Sequence, residues 1–205
     1  METFSERVKN IAIDEAINYK RTYVDYEYLL LSRYFEARYY IIAGTEKNYL
    51  HLVGVHTNLD QETFYNKCID RNLEEKDFDF IDAKGNDIKG TVRRKIKVLS
   101  NMNHLMSREE LYVQEKFEKN RVVCTLGATD FECTVGFIKS SKRDMAKAFP
   151  KTLMRGNELK DARQVEAVLR KNSGGTAFDE IIIGNREILK FFWDDIKEIV
   201  SENLV

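Results

Sequence analysis

The first part of the chain carries apolar side chains every three or four positions, which predicts an amphipathic helix. Thr3 and Glu6 have the spacing of a capping box, so we expect the helix to begin beside them. The pattern predicts that it ends near Tyr23. Its buried stripe would hold Phe4, Val8, Ile11, Ala12 and Ala16.

The following hundred or so positions mix strand-like and helix-like patterns. Strands are predicted at 26–31 and 35–43, and helices at 61–69 and 92–106. The two strands suit either a hairpin or a strand that follows a helix end. Polar residues at 57–60 supply capping oxygens for the first of these helices. A second capping box at 107–110 predicts another helix or turn.

The C-terminal half is dominated by strand patterns. Extended runs are predicted at 121–126, 132–138, 165–171 and 177–184. The segment 127–130 would form the turn between the first two runs, and 172–176 is a strong hairpin signal between the last two. Residues 188–200 return to helical spacing and predict a closing helix.

The order of elements predicts an α+β fold. We expect N-terminal helices, then an antiparallel sheet of about four to six strands, then a C-terminal helix. The length suits a single domain, 1–205, with its core in 1–69 and 112–185. The segment 70–111 is compatible with a helical insertion, and 186–205 would be the C-terminal helix.

Composition places the chain among ordinary globular proteins, with 43% hydrophobic and 33% charged residues. Cys68, Cys124 and Cys133 are an odd number of widely spaced cysteines, which favours buried free thiols in a reducing cytoplasm. There is no apolar segment typical of a signal peptide or a membrane span. We therefore expect a cytoplasmic protein without a membrane partner.

The net charge of −1 conceals an uneven distribution. Ten Lys and Arg face four Asp and Glu within 139–171, whereas 60–87 holds nine acids and four bases. Within 179–205 the acids again lead, by seven to three. Such asymmetry suggests one face for an anion and another for solvent or a partner. The alternative is that these charges scatter once the chain folds.

Sequence motifs of the commonest enzyme classes are absent. The chain has no P-loop, dinucleotide fingerprint, HExxH, CxxC or Gly-x-Ser-x-Gly elbow. Its histidines also lie far in sequence from any acidic cluster that could complete a metal site. We therefore expect neither a metal nor another cofactor.

The stretch YLHLVGVH at 49–56 holds two of the three histidines. On an α-helix, side chains five residues apart diverge by roughly 140°, and on a strand an odd separation places them on opposite faces. His51 and His56 could therefore converge only if Gly54 bends the chain. One working histidine, His51, is favoured over a pair. The alternative for His51 is a half-buried imidazole that hydrogen-bonds to the backbone.

The stretch FPKTL at 149–153 is the second unusual segment, because its proline predicts a fixed turn. Lys151 and Thr152 suit a phosphate, since an ammonium neutralises it and a hydroxyl donates a hydrogen bond. Further cations and hydroxyls lie near in sequence, among them Lys139, Ser140 and Arg155. The alternative is a solvated edge strand whose lysines prevent edge pairing.

Four short motifs occur in a recognisable order: HLxGxH at 51–56, VGF at 135–137, PKTL at 150–153 and VEAVLRK at 165–171. Together with helices that precede the sheet, they resemble the phage-associated branch of the Barnase–EndoU–colicin–RelE-like nucleases. The resemblance extends over residues 1–185, and it does not extend to 70–111 within that range or to the helix after Gly184.

This resemblance implies a metal-independent ribonuclease of phage or toxin type that cleaves RNA by acid–base transesterification inside a bacterial host cell. RNA would be its partner, with an antitoxin or a host protein as a second one. The implied catalytic residues are His51, His56, Lys151 and Thr152, and the implied substrate-binding residues are Lys139, Ser140, Arg155, Lys171 and Tyr49. His51 would be the base or the acid, since imidazole titrates near neutral pH. His56 would transfer a second proton or orient a partner, and Tyr49 would stack on a base.

A non-catalytic role is the alternative. The near-zero net charge, the acidic segment 60–87 and the sparse motifs suit a phage-encoded inhibitor of a host protein, or a binder of a signalling nucleotide. Sequence-specific DNA binding is disfavoured, because the only dense basic helix segment is 93–97. The sequence leaves the oligomeric state open.

Overall fold

The computed structural model describes residues 2–119, 122–139 and 147–205. Within them the helices are α1 Phe4–Tyr19, α2 Tyr49–Val53, α3 Gln61–Ile69, α4 Lys89–Ile96, α5 Leu99–His104 and α6 Arg186–Ile196. The strands are β1 Tyr26–Leu31, β2 Tyr39–Ile42, β3 Tyr112–Glu115, β4 Glu118–Lys119, β5 Val122–Val123, β6 Leu126–Thr129, β7 Cys133–Lys139, β8 Lys147–Arg155, β9 Arg163–Gln164, β10 Ala167–Asn172 and β11 Glu180–Ile183.

The N-terminal helix forms as its sequence predicts. The Thr3 side chain accepts the Glu6 backbone N–H, and the Glu6 carboxylate accepts the Thr3 N–H, so the capping box is confirmed. After Tyr19 the helical path widens into a π-helical turn, Lys20–Val24, before β1 begins. The predicted end near Tyr23 is therefore confirmed.

The segment 70–111 belongs to the main core. It contains α4 and α5, whose side chains pack in the same hydrophobic cluster as those of α1. The contributing buried residues include Val92, Ile96, Leu99, Met102 and Leu105. The predicted capping box at 107–110 starts no helix, because the chain enters β3 at Tyr112.

Nine strands form one mixed sheet in the order β11-β10-β1-β2-β8-β7-β6-β3-β9, and β4 pairs with β5 in a separate hairpin. The α+β class, the leading helices and the closing helix are confirmed, but the sheet is larger than predicted. Its pairs are antiparallel except β2–β8, which is parallel. The predicted hairpin at 172–176 joins β10 to β11.

The sheet curls until its ends approach each other through one stretch of chain. β9 pairs with β3 and β10 pairs with β1, although only Val165 and Glu166 separate β9 from β10. Pairing continues through this gap, since Val165 N–H donates to Leu111 and Glu166 N–H donates to Leu31, each at 2.9 Å. Strands β1, β2, β8, β7, β6 and β3 thus wrap around a common interior.

The two faces of this sheet bury different clusters. The inner face packs against the helices α1–α5, with inward side chains that include Leu30, Ile42, Val135 and Phe137. The outer face over β1 and β10 is covered by α6, which buries Leu29, Leu31, Ile41 and Leu169. A smaller outer cluster holds Phe117, Cys124 and Leu159. The cysteines Cys68, Cys124 and Cys133 are free and buried, as expected.

Strand β8 differs most from its sequence prediction. Pro150 lies inside this strand rather than at a turn, and it pairs with Phe137 of β7. Gly136 pairs with Thr152, so Lys151 is an extra residue that forms a β-bulge. On its other side β8 pairs with β2 only at 147 and 148, and α2 and α4 also pack against it.

A second correction concerns the predicted turn at 127–130, most of which is strand β6. Gly127 is there because of packing: a Cβ at this position would lie 2.7 Å from Leu159 and 2.8 Å from Phe117. The real turn lies at 130–132. No helix in the described part of the chain is long and apolar enough to cross a membrane.

Candidate functional site

His51 stands on the short helix α2, between a 3₁₀ turn, Glu46–Asn48, and Gly54. Leu52 and Val53 are fully buried and anchor the helix in the core, whereas His51 is only partly buried. Gly54 ends the helix with φ 81°, a left-handed conformation that favours glycine. The bend at Gly54, without which His51 and His56 could not converge, is therefore present.

Lys95 of α4 crosses this helix end. Its ammonium donates a hydrogen bond to the backbone carbonyl of His51. A Cβ at Gly54 would lie 2.6 Å from Cδ of Lys95, so glycine is also needed to let the lysine pass. A cation that binds a free carbonyl at a helix C-terminus stabilises that terminus. Lys95 thereby fixes the turn that carries His51.

The His51 ring contacts Gln61, the first residue of α3, whose amide nitrogen lies 2.9 Å from Nε2. Because an amide nitrogen only donates, Nε2 accepts in this arrangement, and the proton of the neutral ring is on Nδ1. Burial lowers the pKa of His51 below 6.5, and the positive charges of Lys151 and Lys95 lower it further. The imidazole is therefore a neutral base at physiological pH.

A basic cleft of about 420 Å³ lies beside α4 and β8, and we define it by Arg94, Lys95, Thr152 and Arg155. His51 is not among its described lining residues, and Lys95 connects the two. Arg94 and Lys95 share one face of α4 with Thr91, three and four positions away. The facing wall is β8, where Thr152 and Arg155 follow the bulge at Lys151.

The basic cleft and the adjoining surface around Lys151 carry a net positive charge. Among the described residues, no carboxylate pairs with Arg94, Lys95, Lys151 or Arg155. Lys119 also lines the cleft, but Glu158 neutralises it at 2.6 Å. Unpaired cations around a concave surface with a hydroxyl suit a phosphate anion.

A family model described as phage-Barnase-EndoU-ColicinE5/D-RelE like nuclease4 matches residues 12–174. The match covers more than three quarters of the chain and includes the basic cleft, His51 and Lys151. The chain belongs to this nuclease family. The resemblance stated from the sequence motifs is thus confirmed. No curated protein and no solved structure matches the chain.

The nuclease family match does not assign roles to residues, so the placement of each predicted site residue matters. The structure brings His51, Lys151, Thr152 and Arg155 to one region, where α2 packs against β8. Lys151 is exposed, and its charge acts on the His51 ring without a hydrogen bond between them in the described structure.

His56 has a separate partner. Its backbone forms an isolated β-bridge with Asp79, and its Nδ1 lies 3.3 Å from Oδ2 of Asp79. After the bend at Gly54, His56 therefore contacts the acidic segment 60–87, and His51 contacts Lys95 instead.

Tyr49 cannot stack on a nucleobase. Its side chain is fully buried, and its hydroxyl donates to the Ala12 carbonyl at 2.6 Å. On a helix, two positions differ by roughly 200°, so Tyr49 points away from the side that His51 occupies. Burial also raises the pKa of the Tyr49 hydroxyl well above its ordinary value.

Lys171 and Lys139 lie elsewhere on the sheet. Lys171 of β10 donates to the Gly175 carbonyl at 2.7 Å and lies 3.4 Å from the buried Glu27 carboxylate, so its charge is engaged. Lys139 ends β7 with its ammonium 5.3 Å from the ring centre of Tyr40. Ser140 lies outside the described residues.

Sequence reasoning missed Lys95, Arg94 and Gln61. The basic run 93–97 is evident in the sequence, but by itself it indicates only a short DNA-binding stripe and no connection to His51. Lys95 is 44 residues from His51, and only the tertiary packing of α4 on α2 connects them. Within the described ranges, no three His, Cys, Asp or Glu side chains are grouped so that they could hold a metal ion.

Proposed function

We propose that this protein is an endoribonuclease that cleaves RNA by acid–base transesterification at the basic cleft, without a catalytic metal. The observation that carries the proposal is a neutral imidazole, His51, beside a cleft whose cations have no acidic partner among the described residues. Membership of a nuclease family supports a nucleic-acid substrate. The phage context in the family description suits a bacterial cytoplasm as the place of action.

The reaction requires a base, an acid and charge stabilisation. His51 would take the proton of a ribose 2′-hydroxyl, and the 2′-oxygen would form a bond to the adjacent phosphorus. The bond from phosphorus to the 5′-oxygen would break, and that oxygen would take up a proton. The products are a 2′,3′-cyclic phosphate and a free 5′-hydroxyl.

The cations would stabilise the negative charge that accumulates on the phosphorane. Arg94 and Arg155 stand on opposite walls of the cleft, and Lys151 adjoins His51. Thr152 adds a hydroxyl donor on the β8 wall. Donors fixed in a partly water-excluded site stabilise such a charge more strongly than water does. The dependence on a 2′-hydroxyl makes RNA, rather than DNA, the substrate.

The test is cleavage of a labelled RNA by His51→Ala in buffer with excess EDTA. We expect the unaltered protein to cleave under these conditions and His51→Ala to lose cleavage by roughly 10²-fold or more. His104→Ala is the matched control, since His104 is exposed on α5. Circular dichroism and thermal unfolding would establish that each variant folds.

Two outcomes would contradict the proposal. Cleavage by His51→Ala at an unchanged rate would remove His51 from the mechanism. Cleavage of an all-deoxy strand as fast as of RNA would remove the 2′-hydroxyl, and with it the transesterification.

A further inference from the structure

Lys95 lies where the basic cleft meets the helix of His51. Its side chain lines the cleft, passes over Gly54 and ends with its ammonium at the His51 carbonyl. It connects the helix of His51 with the α4 wall of the basic cleft. Because a lysine stem is flexible, the ammonium could turn from this carbonyl to a phosphate bound in the cleft.

The environment of Lys95 makes its proton exchangeable. Burial lowers the pKa of Lys95 from 10.5 to about 8. No carboxylate in the described structure binds its ammonium. A carboxylate there would stabilise the protonated form and make the proton harder to transfer. The titratable and charged groups around it are His51 on α2, Arg94 on its own helix, Lys151 and Arg155 on β8, and the Lys119–Glu158 pair across the cleft.

We propose that Lys95 is the general acid of the cleavage, which donates its proton to the 5′-oxygen as the bond from phosphorus to that oxygen breaks. This inference rests on the proposed function. His51 gains the 2′-hydroxyl proton and becomes an imidazolium, and Lys95 becomes a neutral amine. Water then takes the proton from His51 and returns one to Lys95, so that both residues regain their starting states.

The other candidates are less suited to this step. A guanidinium does not give up its proton in proteins, which leaves Arg94 and Arg155 as charge stabilisers. His56 is held at Asp79, away from the cleft. Thr152 is a hydroxyl, a very weak acid. Lys119 is paired with Glu158, and Lys151 is not among the described residues that line the cleft. Among the lining residues, Lys95 is therefore the group whose position and proton affinity both match the role.

The decisive experiment compares two leaving groups. One substrate is an RNA oligonucleotide with a natural 5′-oxygen at the scissile bond, and the other carries sulfur in place of that oxygen. A thiolate leaves without protonation because it is a far weaker base than an alkoxide. We expect Lys95→Arg to slow cleavage of the natural substrate by roughly 10²-fold or more, and to cleave the sulfur substrate at nearly the unaltered rate.

Lys97→Arg is the matched control, because Lys97 is exposed and directly follows the same helix; this variant should cleave both substrates normally. Equal losses on both substrates would overturn the acid role and leave Lys95 as a positioning residue only. Cleavage of neither substrate by the unaltered protein would instead refute the proposed function itself, and the role of Lys95 with it.

A measurement on the unaltered protein covers the case in which Lys95→Arg fails to fold. With the natural substrate, the rate should fall as the pH rises through about 8, because Lys95 then loses the proton that it donates. With the sulfur substrate this fall in rate at high pH should disappear. The same fall on both substrates would overturn the proposal without any variant.

Discussion

The amide nitrogen of Gln61 lies 2.9 Å from Nε2 of His51. A donor at this nitrogen favours the neutral ring, because an imidazolium has no lone pair there to accept the bond. Gln61 therefore acts in the same direction as burial and the neighbouring charges of Lys151 and Lys95. In the proposed cleavage, a ribose hydroxyl would have to displace Gln61 from Nε2 before His51 could remove its proton.

The first prediction follows from this contact. Gln61→Glu would replace the donor with a carboxylate that accepts a hydrogen bond from a protonated Nε2, so we expect the pKa of His51 to rise. NMR titration of the imidazole Cε1–H signals would measure it, with His56 and His104 as internal references. Gln61→Ala is the control, and it should raise the pKa less. An unchanged or lowered His51 pKa in Gln61→Glu would contradict the assigned contact.

The second prediction concerns the close approach of Gly54 and Lys95. Gly54→Ala would place a methyl group 2.6 Å from Cδ of Lys95 and force the lysine away from the His51 carbonyl. We expect a loss of about 2 kcal/mol in the free energy of unfolding, roughly half from the left-handed backbone and half from the lost hydrogen bond. Urea denaturation would measure it.

Gly85→Ala separates the two contributions. Gly85 has φ 83°, like Gly54, but a Cβ there would meet nothing within 4 Å. This control should lose only the backbone part, about 1 kcal/mol. Equal losses in the free energy of unfolding of the two variants would mean that the Lys95 side chain moves aside for the methyl group without destabilising the protein.

Local patterns predicted the elements whose determinants lie within a few residues of each other. The capping box of Thr3 and Glu6, the helix over 61–69 and the hairpin at 172–176 are of this kind. The predicted importance of His51 and of the basic segment around Lys151 also came from local chemistry. Both lie in the same region of the fold.

Features that depend on contacts between distant residues could not be predicted from the sequence. The local sequence predicts a turn at Gly127, but this glycine lies in β6, where Phe117 and Leu159 pack on it. Pro150 also predicts a turn, but it is accommodated in β8 beside a bulge. The larger sheet arises because β9 and β10 join its two ends, which no local pattern encodes.

The third prediction concerns Tyr49, which the sequence suggested as a base-stacking residue. Tyr49→Phe removes a buried hydroxyl that donates to the Ala12 carbonyl at 2.6 Å, so we expect about 1 kcal/mol less stability. RNA cleavage should stay at the unaltered rate, because the ring lies in the core. Denaturation and a cleavage assay on the same sample would measure both. A strong loss of RNA cleavage at unchanged stability would place the ring in the substrate site after all.

The fourth prediction concerns two cations of β8: Lys151, whose charge acts on His51, and Arg155, which lines the basic cleft. Lys151→Ala and Arg155→Ala should each weaken binding of a 2′-O-methyl RNA, which has no 2′-hydroxyl proton to lose. If each cation neutralises one phosphate, each variant should also reduce the slope of log affinity against log salt by about 0.7. Fluorescence anisotropy across a salt series would measure the slope. Lys190→Ala is the control, since Lys190 pairs with Glu187 on α6 and should leave the slope unchanged. A slope that falls equally in all three variants would mean that RNA binds by diffuse attraction. It would then not bind specifically at the basic cleft.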